Sequence, residues 1–171
     1  AVTLDGTPLL LRAIRFWQTT CPGTPIYVSA GQPDHALSLP DDVTPIYDQV
    51  ADCGPMGGLQ AAFRQCKEEL LWVSAVDMPL LSSQAVELLS SKRCHCEDAC
   101  VFTHDGRPEP LLGLYRSTCL PVMDQLLSSG EHRVSALLNT VRTTQVPLKN
   151  MDWVRNVNTP QELDQLRQEQ H

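Results

Sequence analysis

The sequence predicts an α/β fold with a mostly parallel sheet and at least one antiparallel strand. Three observations carry this. Apolar runs rich in β-branched residues alternate with segments of helical periodicity along the chain. One run, Leu70-Leu71-Trp72-Val73-Ser74-Ala75-Val76-Asp77-Met78-Pro79, is apolar almost throughout and stops at one carboxylate and a proline. That is the pattern of a strand buried on both faces of a parallel sheet. Two later runs, 99–103 and 110–115, face each other across Asp105-Gly106, a turn signal that implies antiparallel pairing.

In chain order, Val2-Thr3-Leu4 reads as an edge strand and Asp5-Gly6 as a turn. Thr7-Pro8 then opens a helix, with Thr7 as N-cap and Pro8 at the first helical position. Leu9, Leu10, Ala13, Ile14 and Trp17 share one face of it, and Cys21-Pro22-Gly23 ends it. Residues 25–29 form a strand, 34–42 a polar loop, and 43–47 a short strand ending at Asp48. Gly54-Pro55-Met56-Gly57-Gly58 starts a helix carrying Leu59, Ala62, Phe63 and Cys66 inward. Ser82 or Ser83 caps the next helix, which carries Val86, Leu88 and Leu89. The segment 104–109 between the two later strands is too long for a two-residue hairpin. Residues 119–127 form a helix stopped by Gly130, and Glu131-His132-Arg133 precedes a short helix through Leu138. Residues 145–148 and 155–158 are the last strands, and Thr159-Pro160-Gln161-Glu162 opens the final helix as a capping box.

The chain has 171 residues and 42% hydrophobic content, which fits a single domain spanning 1–171 with a sizeable core. Its 13 Lys+Arg against 20 Asp+Glu give a formal charge of −7, which argues against a nucleic-acid partner. A nucleotide is not excluded, because a metal and backbone N–H groups hold phosphates. Seven irregularly spaced cysteines indicate a reducing, cytoplasmic setting and no disulfide framework. No apolar run approaches the ~20 residues of a membrane span, and no signal peptide is visible. Cys94-His95-Cys96 with Cys100 could hold zinc, but the spacing does not match paired knuckles. Thiols of a solvent-facing loop are the alternative reading there.

The candidate chemistry lies at strand ends. A strand interior has no room for an unpaired charge, so Asp77 is expected at the carboxyl edge of its strand, where ligands of open α/β sheets bind. A carboxylate there suits Mg²⁺ shared with substrate phosphates, or else simply caps the following turn. Asp48 is a second carboxylate at a strand end. The glycines from Gly54 allow close backbone approach at a helix N-terminus, which attracts anions; an ordinary loop-to-helix turn would use them as well. His104 reads as a solvated loop residue.

Taken together, several segments resemble the molybdenum cofactor guanylyltransferase (MobA-like) family. They are the Asp48 strand end, Gly54-Pro55-Met56-Gly57-Gly58-Leu59, Val76-Asp77-Met78-Pro79, Asp105-Gly106-Arg107-Pro108-Glu109-Pro110-Leu111, Gly130-Glu131-His132-Arg133 and Asn156-Val157-Asn158-Thr159-Pro160. The resemblance implies a Rossmann-like, three-layer nucleotidyltransferase fold. It also implies transfer of GMP from GTP to molybdopterin with Mg²⁺, releasing pyrophosphate. Asp77 would be the catalytic magnesium ligand. Ser29, Asp48, Gly54 and Asp77 would contact the nucleotide, although Ser29 stands where some members carry an asparagine. Arg107, Glu109, Asn156 and Asn158 would face the molybdopterin. Molybdenum-insertion and molybdoenzyme chaperone proteins are the implied protein partners.

The family opens with a strand and a glycine-rich phosphate loop, and Ala1 aligns just beyond them. The resemblance therefore implies a further N-terminal segment of roughly 20 residues, since a doubly wound sheet without its central strand leaves two unpaired edges. The alternatives are a related CTP-dependent molybdopterin cytidylyltransferase and a non-catalytic binding domain. A phospho-receiver fits worse, because no later strand is followed by a suitable lysine.

Overall fold

The computed structural model describes residues 3–4, 7–31, 38–48, 53–93, 97–157 and 162. β1 (Thr3–Leu4) and β2 (Thr7–Pro8) form a small antiparallel ladder. Thr7-Pro8 therefore closes a hairpin instead of opening a helix. α1 (Leu9–Thr20) begins one residue later, with extended Pro8 (φ −55°, ψ 139°) at its N-cap position and no side-chain cap. The predicted turn residues Asp5 and Gly6 lie outside the described residues.

β3 (Ile26–Ser29) and β4 (Val43–Ile46) pair in parallel. α2 (Gly54–Cys66) begins against their carboxyl ends, and 67–69 leads into β5 (Leu70–Ser74). The Tyr27 hydroxyl donates to Glu68 Oε1 at 3.4 Å, which brings the residues ahead of β5 near β3. α3 (Ser83–Lys92) follows, capped by Ser82, which accepts from the Gln84 N–H at 3.2 Å. β6 (Ala99–His104), β7 (Arg107–Arg116) and β8 (Thr143–Pro147) complete a four-stranded sheet in the order β5-β7-β6-β8. β7 is antiparallel to β5 and β6, whereas β6 and β8 are parallel. Within this sheet β7 is the one strand that runs against the others, and β3 and β4 are parallel, in line with an α/β fold of parallel and mixed strands. α4 (Leu120–Ser128) and α5 (Val134–Thr140) lie between β7 and β8.

Helices cover both faces of the larger sheet. Met56, Leu59 and Phe63 of α2 pack with Leu71, Val101 and Tyr115 on one face, joined by Met123 and Leu137. Ala85 and Leu89 of α3 pack over Cys100, Phe102, Leu112 and Leu114 on the other. Trp153 closes that side, with its ring 5.9 Å from Phe102. Met123 is fully buried, and its truncation to alanine would cost about 2–5 kcal/mol.

Four local expectations change. β5 is not buried on both faces: it stops at Ser74, and only Leu71 among its residues is buried, because its edge away from β7 opens into a cleft. The β6–β7 connection is a two-residue turn after all. Asp105 and Gly106 adopt φ +48° and +71°, the left-handed pair that a tight hairpin turn requires, and the ladder runs out to His104 and Arg107. Residues 155–157 form no strand; a short 3₁₀ turn, Met151–Val154, precedes them. Cys100 is no solvent-loop thiol, since it is buried in β6, where burial pushes its thiol up to about 11. Cys94, His95, Cys96, Asn158 and the predicted capping box through Gln161 lie outside the described residues.

Asp98, just ahead of β6, ties three segments together. It accepts from the Arg142 backbone N–H and Nε, each at 3.1 Å, and from the Thr118 hydroxyl at 2.7 Å. The Arg142 guanidinium holds its carboxyl down at about 2. A carboxyl depressed by folding contributes stability above its ordinary value of about 3.9 and loses it as pH falls. The loss runs down through about 2. Asp98→Asn should therefore melt below wild type at neutral pH and converge on it in acid. Thermal melts across that range check this; curves that stay parallel would remove the role assigned to the carboxylate.

Candidate functional site

The site is built where α2 begins. Gly54 has φ +57°, a left-handed conformation that glycine adopts without strain, and Pro55 follows in the first helical turn. Gly57 and Gly58 are buried one turn later. A Cβ at Gly57 would lie 2.6 Å from Cys53 Cβ; one at Gly58 would lie 2.6 Å from Ser29 Oγ and 3.6 Å from Asp48 Oδ1. Gly58 thus lets the helix start rest directly on the carboxyl ends of β3 and β4, while Gly57 clears the helix's own N-cap residue. They also bring the N-terminal, partially positive end of α2 next to Asp48.

Asp48 Oδ1 and Asp77 Oδ1 are both buried and both without a hydrogen-bond partner. Burial raises the Asp48 carboxyl above its ordinary value. Asp77 sits three residues beyond β5, in a turn held on both sides. Ala75 N–H donates to Leu111 O at 3.0 Å, and Val157 N–H donates to the Asp77 carbonyl at 2.8 Å. Buried polar atoms in native folds are nearly always satisfied, so two orphaned carboxylate oxygens, each just beyond the carboxyl end of a strand, mark places where a ligand supplies the missing partners. Carboxylate oxygens with free lone pairs suit a hard divalent cation. Among the described residues no cluster of three or more His, Cys, Asp or Glu could hold a metal alone. Such a cation would draw its other ligands from substrate phosphates and water.

A cavity of 740 Å³ is lined by Ser29, Gly58, Ser74, Asp77 and Leu111 among others. Of the residues expected on the nucleotide side, Ser29 and Asp77 therefore share one cavity, and Asp48 borders it through Gly58. Gly54 is exposed at the helix start, next to Pro55 in the cavity wall. The pterin-side set is less gathered. Arg107 is exposed on the β6–β7 hairpin, and Glu109 is half-buried opposite Phe102, with its carboxyl raised by burial against the opposing effect of His104. Neither lines the cavity. Asn156 is exposed, and its neighbour Val157 carries the bond to Asp77. Asn158 lies outside the described residues. Sequence reasoning does not single out Val157, since an apolar residue between two asparagines carries no signal of a backbone contact to a distant turn.

Asp48→Asn tests the strain in this arrangement. Because burial raises the folded-state value, ionised Asp48 destabilises the fold at neutral pH, and the burden eases as pH falls through that raised value. The amide should melt above wild type near pH 7, with the gap narrowing in acid. Thermal melts from pH 5 to 8 report it; a variant less stable at every pH would show that Asp48 has a partner.

Comparison with known proteins agrees with this geometry. The sequence model described as the MobA-like NTP transferase domain matches residues 1–146. A protein of Synechococcus elongatus named a probable molybdenum cofactor guanylyltransferase is 32% identical over 167 residues, covering 92% of this chain and 83% of that protein. One of the same name from Carboxydothermus hydrogenoformans is 28% identical over 130 residues, 71% of this chain and 66% of that protein. Among solved structures, molybdopterin-guanine dinucleotide biosynthesis protein A from Archaeoglobus fulgidus superposes with a TM-score of 0.78 at 24% identity, over 98% of this chain and 87% of that one. The 2-C-methyl-D-erythritol 4-phosphate cytidylyltransferase of Thermus thermophilus shares the fold at a TM-score of 0.70 and 12% identity, over 95% and 89% of the two chains. With its glycine-led helix resting on paired strand ends, this chain belongs to the MobA-like nucleotidyltransferase family.

Proposed function

We propose that the protein transfers GMP from GTP to the phosphate of molybdopterin, giving the guanine dinucleotide cofactor and pyrophosphate. The observation that carries this is the pair of buried, unpartnered carboxylate oxygens on Asp48 and Asp77, just beyond the carboxyl ends of β4 and β5. The names of its relatives supply the substrates. An oxygen of the acceptor phosphate attacks the α-phosphorus of GTP, a new P–O–P bridge forms, and the α–β bridging bond breaks with its electrons leaving on pyrophosphate. The attacking group is already an anion, so neither aspartate acts as a base.

Phosphoryl-type transfer asks for positioning and charge neutralisation more than for protein nucleophiles. Asp77 offers its free oxygen to Mg²⁺, and the bound ion would neutralise phosphate charge. Ser29, Asp48 and the α2 start from Gly54 hold the nucleotide. Asn156 and Asn158, with Arg107 and Glu109, face the pterin, whose amide-rich rings match the paired donor and acceptor of asparagine. Product would pass to molybdenum-insertion and chaperone proteins. The thiols of Cys21, Cys66, Cys100 and Cys119 among the described residues fit a reducing cytoplasm. No described helix is long and apolar enough to cross a membrane.

Dinucleotide formation from molybdopterin with GTP or CTP, each with Mg²⁺, tests the reading. GTP should be preferred, and Asp77→Asn should lower turnover roughly a hundredfold or more while retaining the fold. Asn156→Ala should raise the molybdopterin requirement and leave GTP affinity near wild type by calorimetry. Preferred use of CTP would move the assignment to a cytidylyltransferase, and an active Asp77→Asn protein would remove the metal role.

A further inference from the structure

α2 is held from two flanks, and the flank away from the site carries a polar contact that the reaction does not use. Gly58 faces Ser29 and Asp48. Gln60 points about 200° round the helix from Gly58, and Arg64 lies roughly one turn beyond Gln60. Both reach one residue of α4. Gln60 Nε2 donates to Asp124 Oδ1 at 2.6 Å, and Arg64 Nη2 donates to the same oxygen at 2.7 Å. Between the two flanks Met56, Leu59 and Phe63 enter the core.

Gln60 is the one polar residue buried outright among those described, at 8% exposure. A buried amide is costly unless bonded, and a carboxylate acceptor makes its bond short and charge-assisted. The Arg64 pair adds little alone, since the two side chains are 39% and 40% exposed and water screens them. The apolar contacts of Met56, Leu59 and Phe63 hold α2 down but are non-directional, so they tolerate a small roll about its axis. Hydrogen bonds are directional. Two donors four residues apart, converging on one oxygen, fix both the roll of α2 and its position along α4.

We propose that Asp124 is a positioning residue for the nucleotide half of the site, acting through Gln60 to set the roll of α2. A roll of about 10° carries a Cα at ~2.3 Å from the axis through about 0.4 Å. Productive site geometry holds only to within roughly 0.5 Å. A roll of that size presses the helix start onto Ser29 or lifts it from Asp48, because Gly58 already sits against both. The Asp77 turn is tied instead to β7 and to Val157 by main-chain bonds, so Asp124 bears on one half of the site and not the other. The inference rests on the nucleotide lying at the α2 start, as proposed above, whichever base it carries.

Asp124→Ala and Gln60→Leu remove the contact from its two sides, whereas Asp124→Asn keeps the acceptor oxygen. Calorimetry with GTP and Mg²⁺, or with CTP if that is the nucleotide bound, should show affinity falling roughly tenfold in each of the first two. The double variant should lose no more than either single one, since both delete the same contact. Asp124→Asn should restore most of the affinity, and the molybdopterin requirement should stay unchanged throughout. Amide exchange at Gly57 and Gly58 should quicken roughly tenfold in Asp124→Ala. Asp98→Asn, which weakens the fold from the amino end of β6, should lower the thermal midpoint and leave both that exchange and the nucleotide affinity as in wild type. Wild-type exchange at Gly57 and Gly58 in Asp124→Ala would overturn the proposal. Equal losses of nucleotide affinity and molybdopterin use would overturn it too, as would additive losses in the double variant, because Asp124 would then be a packing contact only. A wild type that binds neither nucleotide would defeat the proposed transfer, and the exchange measurement would still decide the role of Asp124.

Discussion

The arrangement depends on how closely α2 can approach β3 and β4. At Gly58 the distance to β3 allows nothing larger than hydrogen, with Ser29 Oγ 2.6 Å from where a Cβ would stand, and at Gly57 Cys53 Cβ at the helix's own N-cap is as near. Cys53 Cβ is fixed to the backbone and cannot yield, whereas the Ser29 hydroxyl has other rotamers. Gly57 is therefore the stricter of the two positions. The approach sets the start of α2 against Asp48, and the same helix carries Met56, Leu59 and Phe63 into the main core. Site and core are thus positioned by one rigid element, and a change that tilts α2 would disturb both.

Asp48 and Asp77 show what that rigidity holds in place. Water would solvate a free carboxylate fully, yet each keeps one oxygen buried with no partner. Such groups persist when the surrounding packing over-determines them, and they cluster where ligands bind. At Asp77 the restraint is main-chain. Val157, 1% exposed, anchors the Asp77 carbonyl, and Trp153 anchors the same segment against Phe102. In the proposed reaction this contact links the pterin-side Asn156 to the metal-side Asp77 through the backbone, so the two halves of the site cannot move independently.

Much of this is legible in the sequence because it depends on local chemistry. The α2 start, the Ser82 cap and the Gly130 stop each follow from residues with a single strong preference. The differences arise where long-range pairing decides. Thr7-Pro8 carries a good helix-start signal, but pairing with Thr3-Leu4 takes those residues into a ladder. Asp105-Gly106 reads as a turn, but the ladder's extension through His104 and Arg107 cannot be seen from polar residues with little strand propensity. The bulge after Val101 shifts the β6–β7 register, and the Tyr115 hydroxyl, donating to Pro110 O at 2.6 Å, pins it. Nothing local to Pro110 announces that bond. The same limit applies to the site: Asp48 and Asp77 stand out as carboxylates at strand ends, whereas the Val157 contact depends on where the chain returns much later.

A formal charge of −7 sets a problem for the proposed reaction, since both substrates are phosphate anions. Long-range repulsion is limited by screening, with a Debye length of about 8 Å at physiological salt. Inside the cavity the repulsion is local, and Asp48 and Asp77 make it worse unless something positive intervenes. The α2 N-terminus supplies a partial positive charge of about half a unit, too little to offset two carboxylates and a triphosphate. A divalent cation shared between Asp77 and the phosphates changes the sign of the problem. The carboxylate that repels free nucleotide then attracts the metal–nucleotide complex. Nucleotide binding should therefore be coupled to the cation far more strongly than in sites lined by lysine and arginine. In the proposed reaction the orphaned oxygen of Asp77 would be the one offered to that cation, since no protein donor occupies it.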